Sequence, residues 1–206
     1  MNIILRNEIE KDYFIVENLT REAFWNVYKP GCDEHLLTHN IRSLPCFIKE
    51  LDFVAEIDGN IVGNIIYSLS QLTGSNGNTH GFISFGPIAV HPDYQKKGIG
   101  SALINHTFRL AEQLGYTAVF ITGNPDYYQR FGFTAAFDYG IHLKGIPENE
   151  RAEFFMVRPL KQNALDGISG ILEFDECFEV DQNELQEFDR QFPPKVKEKR
   201  PGQIFE

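Results

Sequence analysis

A stretch rich in glycine and lysine, residues 95–101 (Gln-Lys-Lys-Gly-Ile-Gly-Ser), has the composition of a loop that holds an anion. Gly98 and Gly100 lack Cβ atoms, so a phosphate group can approach the backbone closely. The stretch precedes a predicted helix, whose first N–H groups are unpaired and lie at the positive end of the helix dipole. Lys96 and Lys97 add positive charge to a chain with a formal net charge of -10. These residues predict a phosphate-binding loop, with a purely structural turn as the alternative.

Two common phosphate-binding motifs do not fit this loop. The dinucleotide fingerprint requires a third glycine three residues after the second, and Leu103 stands at that position. The P-loop requires Gly-Lys-Ser or Gly-Lys-Thr after four free residues, and this stretch lacks that sequence. A phosphate ligand of this loop would therefore be held by another kind of motif.

The neighbouring elements place the loop at the turn from a strand to a helix. Residues 82–90 are mostly apolar and predict a strand, although Gly86-Pro87 within it favours a bulge, an edge or a place where the sheet opens. A helix is expected over 99–114, because apolar residues recur on one face and Gly115 ends the pattern. A strand over 118–121 and a short helix over 125–131 follow.

The rest of the sequence predicts an α/β fold, which some schemes class as α+β. A short strand at 3–5 is followed by two helices, one over 8–25 and one that begins at Asp33 and ends before Pro45. Asp58-Gly59-Asn60 predicts a hairpin between strands at 53–57 and 61–67. Residues 70–80 are rich in Gly, Ser, Asn and Thr and predict a surface loop. The remaining strands are expected near 133–138, 153–158 and 170–174, and this mixed order favours a mixed sheet.

Composition and charge limit the class of protein. The 206 residues suffice for one domain of ordinary size, or for one domain with a tail. With 19 basic and 29 acidic residues, the chain does not resemble a nucleic-acid-binding protein that relies on a basic surface. Its apolar runs are shorter than the roughly 18 residues of a membrane span, and its N-terminus does not resemble a signal peptide. Cys32, Cys46 and Cys177 lack CxxC spacing, so we expect a reducing, cytoplasmic location and neither a disulfide scaffold nor a zinc site.

The C-terminal residues form a separate charged segment. Residues 173–189 include eight acidic residues and no basic one, whereas residues 190–200 are mostly basic and contain Pro193-Pro194. A helix is expected over 181–191. Because charge runs are usually solvated, we expect a solvated or partly ordered extension, with an interaction tail as the alternative.

Together with its surroundings, the glycine loop resembles motif A of the GNAT superfamily of acyl-CoA-dependent N-acetyltransferases. The family pattern, Gln/Arg-x-x-Gly-x-Gly/Ala, is matched by Gln95, Gly98 and Gly100, after Ile88-Ala89-Val90-His91-Pro92. Residues 123–133 resemble the family's later motif, and their Tyr-Tyr-x-Arg-Phe-Gly-Phe sequence is similar to a branch of small bacterial members. The resemblance covers residues 1–178 as the expected N-acetyltransferase domain and leaves residues 179–206 as a charged extension.

This resemblance implies a mixed, splayed central sheet flanked by helices on both faces, and acetyl-CoA as cosubstrate with no metal. The strands at 82–90 and 118–123 are expected to part around the pantetheine arm, in agreement with Gly86-Pro87. Backbone N–H groups around Ile88, Ala89 and Val90 are expected to bond the acetyl carbonyl and the pantetheine amides. The residues expected to hold the pyrophosphate are Gln95, Lys96, Lys97, Gly98, Ile99, Gly100 and Ser101.

The later motif supplies the expected catalytic residue. The resemblance gives Tyr128 the task of protonating the departing thiolate; the alternatives are a hydrogen bond to the sulfur or an aromatic core position. Tyr127 is expected to pack or to form a wall of the substrate site. Asn124 is expected to bond the cofactor or the substrate, or else to form a turn.

The sequence indicates no clear general base. Residues 81–90 include no Asp or Glu, so the carboxylate that some family members carry on this strand is missing. Glu22, His80 and His142 are candidates by residue type alone, and a chain of water molecules is the alternative. His91 is expected to shape the turn before the glycine loop.

The resemblance implies an enzyme that moves an acetyl group from acetyl-CoA to a primary amine by direct transfer through a tetrahedral intermediate. Two alternatives stay open: a module of the same fold that binds acyl-CoA without catalysis, and a phosphate- or nucleotide-binding protein unrelated to CoA. The expected partner is a small-molecule or peptide amine, with no nucleic acid and no membrane. The protein is expected to be a monomer or a homodimer.

Overall fold

The computed structural model describes residues 2–174 and 180–203; Cys177 and the predicted boundary at residues 178 and 179 lie outside them. Among the described residues, no helix combines the length and apolar character needed to span a bilayer.

Helices and strands follow one another in a mixed order, much as the sequence predicts. The helices are α1 (Tyr13–Phe24), α2 (Glu34–Ile41), α3 (Ile99–Gln113), α4 (Pro125–Tyr128) and α5 (Gln182–Asp189). The strands are β1 (Ile4–Asn7), β2 (Phe53–Ile57), β3 (Asn60–Gly74), β4 (Thr79–Val90), β5 (Ala118–Thr122), β6 (Thr134–Ala135), β7 (Ile141–Leu143), β8 (Phe155–Pro159) and β9 (Gly170–Phe174).

The described chain divides into two compact units, each built from separate stretches of sequence. The first unit contains residues 2–66, 87–104 and 180–203, and the second contains residues 67–86 and 105–174. The chain passes from one unit to the other within β3, within β4 and within α3. Parallel and antiparallel strand pairs both occur, which confirms the predicted mixed-sheet fold class.

In the first unit, β1, β2 and the first part of β3 pair antiparallel. The turn between β2 and β3 is the hairpin that Asp58-Gly59 predicts. Asp58 has φ 50° and Gly59 has φ 79°, and a two-residue hairpin turn of this type requires positive φ at both central positions. The local sequence therefore fixes the register next to the turn, and the register then shifts by one residue between Ala55 and Glu56.

In the second unit, parallel and antiparallel pairs are combined. β4 pairs with β5 in parallel, and β5 then pairs antiparallel with β8, which also pairs with β6. The second part of β3 pairs antiparallel with β9, which pairs in parallel with β7. Buried residues from these strands form one apolar core, which includes Leu72, Phe82, Phe120, Phe155 and Leu172.

The predicted surface loop at 70–80 is wrong for most of its length. β3 continues to Gly74 and β4 begins at Thr79, so only residues 75–78 form the turn. The backbone of Ser70 to Gly74 pairs with β9, and the Ser70 and Ser84 hydroxyls hydrogen-bond at 2.6 Å in a buried position. Tertiary pairing thus overrides a composition that is typical of loops.

The predicted strand at 133–138 is also mostly wrong. Only Thr134 and Ala135 pair as a strand, and residues 136–139 form a short 3-10 helix. Gly140 ends that helix with φ 68°, a left-handed conformation that turns the chain into β7. β7 itself is a strand that the sequence pattern did not predict.

The extension from residue 180 packs against α1 and α2 within the first unit. α5 confirms the predicted helix, and its residues Leu185 and Phe188 are buried with Phe192 and Leu36. The Phe14 and Phe192 rings stack with their centroids 5.1 Å apart. The expectation of a solvated extension is therefore wrong for this part of the described chain, because apolar side chains recur between the charges at helical spacing.

Polar contacts fix the same extension to α1. The Arg21 guanidinium is 1% exposed and donates to both carboxylate oxygens of Asp189, at 2.7 and 3.3 Å, and to the Pro193 carbonyl at 3.1 Å. The Trp25 indole N–H donates to the Val196 carbonyl at 2.9 Å. A buried arginine of the N-terminal helix thus depends on a carboxylate near the other end of the chain.

Close packing at Gly63 positions the first turn of α3. A Cβ atom on Gly63 would lie 2.9 Å from Ile99 Cγ2, 3.2 Å from Leu103 Cδ1 and 3.3 Å from the Ala89 carbonyl oxygen. The start of α3 therefore rests directly on the backbone of β3, and a side chain at position 63 would displace it.

Gly63→Ala is expected to lower the free energy of unfolding by about 1–3 kcal/mol, the usual cost of overpacking a buried contact. Gly81→Ala is the matched control, because Gly81 also lies in a strand and an added Cβ would have no atom within 4 Å. Urea unfolding of both variants measures the difference. Equal stabilities would contradict the proposed contact between β3 and α3.

Candidate active site

A short 3-10 helix, Pro92–Tyr94, leads from β4 into the glycine loop. The His91 ring accepts a hydrogen bond from the Asp93 N–H at 3.3 Å, which confirms the predicted role of His91 in shaping this turn. The Gln95 side chain donates to the Val90 carbonyl at 3.1 Å, and Lys97 donates to the Asp93 carbonyl at 2.8 Å. These contacts tie the loop back to the end of β4.

The loop turns through two left-handed residues. Lys96 has φ 59° and Gly98 has φ 85°. A left-handed conformation is unfavourable for a residue with a side chain, so Lys96 marks a strained position in the loop. A Cβ on Gly98 would have no atom within 4 Å, so the loop presents open, exposed backbone at this position.

The same loop ends at the first turn of α3. The Ala102 N–H donates to the Gly98 carbonyl at 2.9 Å, which is the first hydrogen bond of the helix. The N–H groups of Ile99, Gly100 and Ser101 precede that bond and receive no partner from the helix. Three features here suit an anion: the open backbone at Gly98, these N–H groups and the positive end of the helix dipole.

In the second unit, β4 and β5 part after a short stretch of pairing. Their register covers two residue pairs, Ile83 with Val119 and Ser84 with Phe120. β5 continues to pair with β8 as far as Thr122, so it is β4 that departs. Gly86 follows with φ 151°, and Pro87 has no N–H to donate. The predicted splaying of these two strands is confirmed.

The residues predicted to bond the acetyl and pantetheine groups lie beyond this parting, in the first unit. Ile88 and Val90 are half-buried and Ala89 is buried. The Val90 carbonyl accepts from Gln95, and the next residue, His91, donates its N–H to the Val62 carbonyl at 3.0 Å. The end of β4 is thereby held to both the glycine loop and β3.

Tyr128, the predicted catalytic residue, lies in the second unit at the end of α4. The Asn124 side-chain oxygen accepts from the Asp126 N–H at 2.9 Å and so caps this helix. The Asn124 carbonyl accepts from the N–H groups of Tyr127 and Tyr128 at 3.0 and 3.2 Å. The turn-forming role of Asn124 is thus observed, and its role toward a ligand stays a prediction.

Aromatic rings surround Tyr128. Its ring centroid lies 4.9 Å from that of Tyr127, 5.9 Å from that of Phe85 and 5.8 Å from that of Phe133. Phe85 is the first residue of β4 beyond the paired stretch, so the parting of the strands is adjacent to Tyr128. The sequence did not single out Phe85, because a phenylalanine within a predicted strand is usually a core residue.

The contacts described for the three candidate general bases lie away from Tyr128 and the glycine loop. Glu22 accepts from Lys195 at 2.6 Å. His80 lines a polar hollow of about 160 Å³ together with Ser75, Asn76 and Ser169. His142 packs edge-on against Phe137, with the ring centroids 5.5 Å apart. None of these contacts involves Tyr128 or the glycine loop.

A family model described as "Acetyltransferase (GNAT) domain" matches residues 50–135. This range includes β2 to β5, the glycine loop and Tyr128. The sequence is 29% identical over 177 residues to the uncharacterized N-acetyltransferase YhbS of Escherichia coli strain K12, covering 85% of this chain and 98% of the relative. Residues 50–135 thus match the GNAT acetyltransferase domain, and the chain resembles an N-acetyltransferase over most of its length. The resemblance inferred from the loop and the tyrosine motif is thereby confirmed at the level of the family.

Solved GNAT structures show the same fold. The structure of YhbS from Escherichia coli in complex with CoA superimposes with a TM-score of 0.75 at 26% identity, covering 86% of this chain and 92% of that one. A GNAT acetyltransferase from Brucella melitensis in complex with acetyl-CoA superimposes with a TM-score of 0.69 at 24% identity, covering 86% and 99%. The described residues of the present chain contain no group of three or more His, Cys, Asp or Glu arranged to hold a metal ion.

Proposed function

We propose that this GNAT protein transfers the acetyl group of acetyl-CoA to a primary amine. The observation that carries the proposal is the loop before α3, where left-handed Lys96 and Gly98 expose backbone beside the unpaired N–H groups of the helix start. The match to N-acetyltransferases over most of the chain supports the same reaction. In this proposal the pyrophosphate is held by residues 95–101, and the lysines add charge.

The proposal gives the chain three tasks. Acetyl-CoA, when bound, supplies an activated thioester. Backbone N–H groups near Ile88 and Val90 are proposed to polarise the acetyl carbonyl, because a fixed donor stabilises the negative charge that develops on its oxygen. Tyr128 is proposed to donate its hydroxyl proton or a hydrogen bond to the departing thiolate. The amine must attack in its neutral form, and we assign no side chain as the base that removes its proton.

Gly98→Ala is expected to lower the affinity for CoA at least tenfold, which corresponds to ~1.4 kcal/mol. The added methyl group would occupy open space where a phosphate approaches the backbone. Gly59→Ala is the matched control, because Gly59 has φ +79° and equally open surroundings but lies in the β2–β3 hairpin. Both variants place an alanine in a left-handed conformation. If titration calorimetry shows weaker CoA binding for Gly98→Ala alone, the loss comes from ligand contact and not from backbone strain.

Two outcomes of these measurements bear on the proposal. Equal CoA affinity of Gly98→Ala and the wild type would contradict the assignment of the loop. A screen of primary amines with acetyl-CoA, with released thiol as the signal, tests transfer itself. Tight CoA binding without turnover of any amine would indicate instead a GNAT module that binds the cofactor without catalysis.

A further inference from the structure

We propose that Gly123 is a positioning residue for Tyr128, and that the lack of a side chain at Gly123 admits the tyrosine ring to its place. A Cβ on Gly123 would lie 2.5 Å from Tyr128 Cε2, 3.0 Å from Cδ2 and 3.5 Å from Cζ. Carbon atoms in favourable contact are separated by about 3.5–4.0 Å. The ring therefore occupies the volume that any larger residue at position 123 would need. The catalytic consequence rests on the role proposed above for Tyr128.

Backbone conformation does not explain this glycine. Gly132 and Gly140, in the same part of the chain, have φ of 83° and 68°, where only glycine is comfortable. Gly123 lies outside that left-handed region, so an alanine could adopt its backbone angles. The contact with Tyr128 is what requires glycine at this position.

Backbone hydrogen bonds hold both partners close together. The Gly123 N–H donates to the Phe154 carbonyl at 2.8 Å, directly after Thr122 pairs with Phe155. On the other side, the Tyr128 N–H is bonded to the Asn124 carbonyl. The ring itself is bounded by Tyr127, Phe85 and Phe133, as described above. A methyl group at position 123 must therefore displace the Tyr128 ring, and its hydroxyl with it.

The test measures the environment of the Tyr128 ring and the rate of the reaction separately. Protein labelled with 3-fluorotyrosine gives a ¹⁹F NMR signal for each tyrosine, and the Tyr128→Phe variant identifies the signal of Tyr128. We expect Gly123→Ala to shift that signal and to lower kcat at least tenfold, with CoA affinity within twofold of the wild type. Gly81→Ala, a strand glycine of the same unit with open surroundings, is the matched control and should change neither.

A second variant covers the case in which Gly123→Ala folds poorly. Tyr128→Leu removes the ring, so Gly123→Ala should cost little stability in that background, and the two substitutions should be strongly non-additive. Additive effects on stability, or an unmoved Tyr128 signal, would overturn the positioning role. A moved signal with unchanged kcat would support positioning and refute the catalytic role of Tyr128. If the wild type acetylates no amine, the proposed function fails, whereas the NMR and stability measurements still test the contact.

Discussion

Replacing Tyr128 with phenylalanine is expected to lower kcat about 10²–10⁴-fold, the usual contribution of a general acid. Phenylalanine keeps the ring, so the packing against Phe85 and Phe133 should survive. What is lost is the hydroxyl, and its proposed bond to the departing thiolate would strengthen as charge develops in the transition state. The affinity for acetyl-CoA should therefore change little while kcat falls, and steady-state kinetics with calorimetry measures both.

Tyr127→Phe is the matched control for this prediction. Tyr127 neighbours Tyr128 in the sequence and in space, and its ring lies beneath the Arg130 guanidinium at 4.0 Å. Loss of its hydroxyl should leave kcat within a few-fold of the wild type. If Tyr128→Phe retains full kcat while chemistry limits the rate, Tyr128 is not the acid. If Tyr127→Phe loses activity instead, the acid is its neighbour.

Asp189→Ala is expected to lower the free energy of unfolding by about 3–5 kcal/mol, because it leaves the buried charge of Arg21 without its carboxylate partner. The Arg21 guanidinium would keep the Pro193 carbonyl and the Trp25 ring, 4.3 Å away, but would have no carboxylate. His35 also lies near Asp189, but burial lowers the pKa of His35 to about 4 and the ring is neutral at pH 7, so Arg21 is the charge that loses its partner. Urea unfolding at neutral pH measures the loss.

A control on the same helix separates this partly buried pair from surface charge effects. Glu187 pairs with Arg190 in an exposed position, and exposed ion pairs contribute about 0–1 kcal/mol. Glu187→Ala should therefore change stability little. The double variant Arg21→Met with Asp189→Ala should be more stable than Asp189→Ala alone, because it leaves no unpaired charge. Similar losses from Asp189→Ala and Glu187→Ala would contradict the assignment of Arg21 and Asp189 as a stabilising pair.

The parts of the fold that the sequence predicts well are governed by local rules. Asp58-Gly59 encodes its hairpin because the two residues accept the positive φ of the turn. The glycine loop is recognisable because Gly98 lies between a strand and a helix, where an exposed left-handed residue suits an anion. Both signals lie within a few residues, so no knowledge of distant partners is needed.

The features that the sequence did not predict depend on distant partners. Ser70 belongs to a strand because β9, about 100 residues later, pairs with it at Phe174. The extension is packed because Phe188 meets Leu36 and Asp189 meets Arg21. The role of Gly123 is invisible in the sequence, since only the position of the Tyr128 ring shows why a side chain is excluded there. Composition describes such residues without indicating what they contact.

The contact between Arg21 and Asp189 also bears on the order of events during synthesis. The two residues are 168 positions apart, so at 5–20 residues per second Asp189 is synthesised on the order of 10–30 s after Arg21. Until then, the face of α1 and α2 that the extension covers stays open, with Leu36 among its apolar side chains. The N-terminal helices can therefore reach their final packing only after residues 180–203 have been synthesised, and until then the nascent chain carries a chaperone-accessible apolar surface.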